Sequence, residues 1–141
     1  VPLAKIICKG VNLSVETEHA RDDLLVSADR TAIEQVIINL VANSCEALAE
    51  VPKDTERKSS LDVSVASSDT HAIIKVRDNG SGVDDSIRYE IFNSFVTTKS
   101  DGAGLGLNLS RSIAERHHGW LSLAETGVQG TTFELHLPLI K

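Results

Sequence analysis

Asp78-Asn79-Gly80-Ser81-Gly82 follows directly on Ala72-Ile73-Ile74-Lys75-Val76-Arg77, and the reading of this junction decides the fold. The first part alternates in polarity as a strand does. Side chains of a strand point to opposite faces with period two, so Ile74, Val76 and Asp78 share one side and Ile73, Lys75 and Arg77 the other. Asp78 therefore prolongs the apolar face and stands at its inner end. A carboxylate in such a place is costly unless donors meet it. Glycines follow at once, so the backbone turns where a ligand can come close. Taken alone, the stretch is also sound hairpin-turn chemistry.

Outward from this junction, Leu61-Asp62-Val63-Ser64-Val65 alternates as a second strand, and a turn around Ser68-Asp69 pairs it with 72–78 as a hairpin. Upstream, Lys5-Ile6-Ile7-Cys8 and Val11–Glu16 read as extended, and Leu24-Leu25-Val26 as a short strand. Asp29 stands where an N-cap belongs, and a helix is predicted from there to about Glu50. Ile33, Val36, Ile37, Leu40, Val41 and Leu48 form its core face. Residues 51–60 read as a solvated loop. Residues 83–103 show little regular pattern beyond a short helix around Ile87–Phe92, and so long a connection inside a compact domain reads as a lid or binding loop. Gly102–Leu107 leads into a helix predicted from about Leu107 to His118, with Gly119 at the C-cap position. Leu121 and Leu123 mark a strand. Thr131, Phe133, Leu135 and Leu137 alternate as the last strand, closed by Pro138. This order predicts an α+β two-layer sandwich, a mostly antiparallel sheet with helices on one face.

The 141 residues read as one domain, long enough to bury roughly two thirds of the unfolded surface. A net charge of −6 argues against a nucleic-acid surface. No apolar run is long enough to span a membrane, so no direct membrane contact is expected. Cys8 and Cys45 lack metal-ligand spacing and read as free, reduced thiols of a cytoplasmic protein. A chain that starts at Val1 and has no methionine is expected to be a piece of a longer protein.

The first helix carries an odd polar stripe. Gln35, Asn39 and Asn43 recur at i, i+4 and i+8, with Glu46 three later. Solvent faces are usually Lys, Glu and Arg, and asparagine is a poor helix former, so two in mid-helix ask for another reason. An amide oxygen suits Mg²⁺, a hard cation that keeps some of its own waters. Gly102-Ala103-Gly104-Leu105-Gly106-Leu107 opens a helix, where exposed amides and the positive helix end attract phosphate. It is not a Walker A loop, because no Gly-Lys-Ser/Thr follows. Thr97-Thr98-Lys99 sets two hydroxyls and an ammonium just before it; Lys99 is either a phosphate contact or a solvated lysine. Phe92 and Phe95 fall within the lid and serve to anchor it. The Thr131 hydroxyl falls on the inner face, at the start of the last strand.

Together these stretches resemble the catalytic, ATP-binding domain of sensor histidine kinases, in the superfamily shared with gyrase B, HSP90 and MutL (the Bergerat fold). Gln35–Asn43 is similar to the family's N box and Asp78–Gly82 to its first glycine box. Ile91–Phe95 with Thr97-Thr98-Lys99 is similar to the F box, and Gly102–Leu107 to the second glycine box. The resemblance runs from about Asp29 to Pro138. It implies that Asp78 accepts a hydrogen bond from the adenine amine, with Gly80 and Gly82 letting the backbone pass close to the base. It implies that Asn43 ligates Mg²⁺ and that Asn39 supports the nucleotide. Gly102, Gly104 and Gly106, with Leu105 and Leu107, would wrap the phosphates, and Thr131 would join the adenine site. Departures are modest: Ser94 stands where the F box often has proline, Ala103 where threonine is common, Ser44 where alanine is common, and His118 where glycine is common.

The resemblance implies transfer of the ATP γ-phosphoryl to a histidine on a separate dimerisation domain, in cis or in trans, and onward relay to a response-regulator receiver domain. In the family the acceptor histidine is usually followed by an acidic residue. His19, His71, His117, His118 and His136 are followed by Ala, Ala, His, Gly and Leu. All five read as structural or surface residues, and the acceptor hairpin as absent from this chain. The rival class is an ATP-hydrolysing clamp of the gyrase, HSP90 or MutL sort, which carries a glutamate base where this chain has Asn39. A nucleotide-sensing module without catalysis is the third.

Overall fold

The computed structural model describes residues 12–17, 26–49, 59–80, 82, 104–127 and 130–140. The early extended stretch at 5–8, the lid at 83–103 with its short helix, and most of the 51–60 loop lie outside the described residues.

Seven elements follow one another among the described residues: β1 (Asn12–Thr17), α1 (Arg30–Ala49), β2 (Ser60–Ser67), β3 (His71–Asp78), α2 (Gly104–Arg116), β4 (Trp120–Gly127) and β5 (Gly130–Pro138). The strands form one sheet in the order β1-β2-β3-β5-β4. β1 runs parallel to β2 and the other pairs are antiparallel. A parallel pair needs a crossover, which α1 supplies between β1 and β2. Val26, the end of the predicted 24–26 strand, makes an isolated bridge to Leu139.

α1 begins where the N-cap predicts. Asp29 Oδ1 accepts from the amides of Thr31 at 3.0 Å and Ala32 at 3.4 Å, satisfying donors that have no partner within the helix. Val36, Leu40, Val41 and Leu48 are buried, and Ile33 and Ile37 pack against them in part. They meet Leu61, Val63, Val76, Phe133 and Leu135 of the sheet and Leu107, Ile113 and Ala114 of α2 in one core. α1 packs on β2 and β3, and α2 on β4 and β5. Both helices therefore cover the face that carries Val76 and Asp78, while Arg77 on the opposite face is exposed.

α2 starts earlier than the glycines suggested, at Gly104 rather than Leu107. Its end also differs from the prediction. The residue in left-handed backbone is His118, at φ 64°, not Gly119. The His118 amide donates to Glu115 O and the Gly119 amide to Ala114 O, each at 3.0 Å, which is a Schellman closure. The His117 ring accepts from the Asp29 amide at 3.1 Å through Nε2, and its Nδ1 lies 2.8 Å from Ile113 O. A ring expected to be structural thus ties the end of α2 to the start of α1.

The cysteine expectation is corrected. There is no free cysteine among the described residues, and Cys45 is disulfide-bonded; Cys8 lies outside them. Apolar neighbours along the chain do not decide this, because disulfide formation depends on approach in space.

Candidate functional site

The site grows from the end of β3. Asp78 is the last residue of that strand and only 3 % exposed. Its Oδ1 accepts from the Gly80 amide at 2.8 Å. One donor is thereby supplied by the turn itself, which limits the cost of burying a carboxylate. The inward placement predicted from alternation is the one observed.

The turn is held from two sides. Asn79 Oδ1 accepts from the Ser60 amide at 2.8 Å, and the Asn79 amide donates to Ser60 O at 3.3 Å. Gly80 is buried, and a Cβ there would lie 3.1 Å from the Ala47 carbonyl. The turn therefore rests against α1. Gly82 has φ 81°, and a side chain on it would run into the carbonyl of Gly127.

β5 brings the next residue. Thr131 pairs directly with Asp78 in the β3–β5 register. It is buried, and its hydroxyl lies 3.2 Å from that of Thr126. Gly130 before it has φ 124°, and a Cβ there would collide with the Asp78 carbonyl oxygen. Only glycine allows the two strand ends to approach this closely. A carboxylate and a hydroxyl, 53 positions apart in the chain, thus lie side by side at one sheet end.

α1 supplies the second wall. Gln35, Asn39 and Asn43 form the predicted stripe, and Ala47, which backs Gly80, continues it one turn on. Gln35 Nε2 donates to Asn39 Oδ1 at 2.9 Å, and Asn39 Nδ2 donates to Ser110 Oγ of α2 at 3.1 Å. Asn43 is half-buried and its side chain makes no hydrogen bond to another described residue. Its amide oxygen suits a hard cation that draws its remaining ligands from phosphate and water. No cluster of three His, Cys, Asp or Glu exists among the described residues to hold a metal on protein ligands alone.

The third wall is the start of α2. Gly104, Leu105, Gly106 and Leu107 form its first turn, and Leu107 is buried in the core. The first four amides of a helix have no partner within it and mark its positive end. Ser110 lies six residues along, about 9 Å at helical rise. The sequence-predicted Thr97, Thr98, Lys99 and Gly102 lie outside the described residues. Ser110 and the His117 tie were not foreseen, since their contacts join residues 71 and 88 positions apart.

Comparison with known proteins shows the family and the fold. The family profile described as histidine kinase-, DNA gyrase B- and HSP90-like ATPase matches residues 28–141. The C4-dicarboxylate transport sensor protein DctS of Rhodobacter capsulatus is 43 % identical over 114 residues, 81 % of this chain and 17 % of that protein. Sensor protein FixL of Bradyrhizobium diazoefficiens is 38 % identical over 114 residues, 81 % of this chain and 22 % of that protein. The chain thus spans about a fifth of the length of these curated relatives. The solved catalytic domain of histidine kinase ThkA superposes with a TM-score of 0.71 at 32 % identity, covering 96 % of this chain and 83 % of that one.

Proposed function

This chain belongs to the histidine kinase-, DNA gyrase B- and HSP90-like ATPase family and is an ATP-binding catalytic domain of the sensor histidine kinases; on that footing we propose how its own residues hold the nucleotide. The observation that carries the reading is the buried Asp78 carboxylate beside Thr131, closed over by a glycine turn that rests on α1. With Oδ1 held by Gly80, the carboxylate recognises the adenine amine, and the Thr131 hydroxyl lies alongside. Gly80 and Gly82 keep side chains out of the base's way. The amides of Gly104–Leu107 receive phosphate oxygens, joined from the lid by Thr97, Thr98, Gly102 and Lys99.

Asn39 and Asn43 face the triphosphate, and Asn43 Oδ1 is the protein's oxygen ligand for Mg²⁺. When bound, that ion offsets the charge of the phosphates. The domain's task is then alignment and charge neutralisation. An imidazole nitrogen from a separate dimerisation domain of the same protein attacks the γ-phosphorus. A P–N bond forms, the bond to the β,γ-bridging oxygen breaks, and ADP leaves. The phosphoryl group passes on to a response-regulator receiver domain. Asn39 is no base, so water is not activated from that position as in the hydrolysing clamps. No described helix is long and apolar enough to cross a membrane. Placement in the cytoplasm is part of the proposal.

The test is calorimetric titration with ATP, with and without Mg²⁺, of the wild type and of Asp78→Asn. The substitution is expected to weaken binding by about 1.5–3 kcal/mol, the scale of a hydrogen bond to a charged group. Unchanged affinity refutes the role of Asp78, and an affinity indifferent to Mg²⁺ refutes the metal assignment.

A further inference from the structure

α1 and α2 pack together, and Leu40, Leu107, Ile113 and Ala114 of these helices belong to the shared apolar core. Ser110 interrupts it. The residue is 0 % exposed. Alanine would fill nearly the same space with a better helix propensity. A buried hydroxyl is unfavourable unless it is used, and here it accepts from Asn39 Nδ2 at 3.1 Å. The other end of the same amide is also held, since Gln35 Nε2 donates to Asn39 Oδ1 at 2.9 Å. A side-chain amide has a donor end and an acceptor end. With Gln35 on the oxygen and Ser110 on the nitrogen, both ends of the Asn39 amide have partners. Asn39 is one turn from Asn43, and Ser110 sits in the helix whose first turn is Gly104–Leu107.

We propose that Ser110 is a positioning residue: it fixes the Asn39 amide and so sets the seat of α2, and with it the phosphate-binding amides, relative to the stripe on α1. This rests on the reading above that Asn39 and the start of α2 face the triphosphate. A merely structural hydroxyl would affect stability alone. A positioning hydroxyl affects transfer and leaves adenine recognition at Asp78 in place.

The experiment measures phosphoryl transfer in the protein that carries this domain together with its acceptor domain, for the wild type, Ser110→Ala, Asn39→Ala and the double variant. Ser110→Ala is expected to lower kcat about tenfold, the kinetic equivalent of one hydrogen bond, with KM for ATP changed less than about twofold. The double variant is expected to be no slower than Asn39→Ala, because Ser110 acts through that residue. Wild-type kcat in Ser110→Ala, or effects that multiply in the double variant, overturn the proposal. An arm independent of activity follows the Asn39 side-chain amide protons by NMR. They are expected to shift and exchange faster in Ser110→Ala, and unchanged signals also overturn it. A wild type that transfers no phosphoryl group refutes the kinase reading itself, while active wild type with unmoved Asn39 signals refutes this inference alone.

Discussion

Ser44 shows what a single residue contributes here. It stands on the core side of α1, 1 % exposed, and its hydroxyl has no hydrogen-bond partner among the described residues. A buried polar group without a partner is unfavourable by its desolvation. Ser44→Ala is therefore expected to stabilise the domain by about 1 kcal/mol, read as a higher midpoint in denaturant, because it removes that group and improves helix propensity. Asp78 is the opposite case, a buried polar group that its own turn supplies with a donor. Its inward direction was legible because period-two alternation fixes the face of each residue in a strand. The adjacency of Thr131 was legible only as a shared face, since register is set by pairing across 53 positions. Ser110 left no mark in the sequence at all, because a serine in a helix looks the same whether its partner is water or an asparagine on another helix.

At the scale of elements, α1 was readable end to end, from the Asp29 cap to the spacing of Val36, Leu40 and Leu48. α2 was misjudged at its start. Glycine is a weak helix former, and propensity alone postpones the helix to Leu107. Packing of Leu107, Ile113 and Ala114 into the core overrides it and draws Gly104–Gly106 into the first turn. The far end of α2 holds exposed His118 in left-handed backbone, where a β-carbon is strained. His118→Gly is expected to stabilise the domain by about 1 kcal/mol, relieving that strain while keeping both Schellman bonds. A thermal melt followed by circular dichroism checks it; an unchanged or lower melting temperature contradicts the strain argument.

At the scale of the molecule, the two helices among the described residues cover one face of a five-stranded sheet, and Leu135 belongs to the core between them with 0 % exposure. Leu135→Ala is expected to lower stability by about 2–5 kcal/mol, with backbone and side-chain probes giving one shared midpoint in denaturant. The layered plan was legible because hydrophobic period changes between strand and helix. The parallel seating of β1 was not, since pairing direction leaves no periodic trace in a short strand. The tryptophan that serves as the side-chain probe has a use beyond unfolding. Trp120, the only one in the chain, is 45 % exposed and stacks on His136 at 4.5 Å, with His71 at 4.8 Å. His71 opens β3 and Asp78 closes it, so the indole marks the rim of the sheet remote from Asp78. The protein thus carries its own optical label at the far end of β3 from the proposed adenine site. Emission that changes when ATP is added will report strain conducted along the whole of β3, and steady emission will report a sheet stiff enough to absorb it.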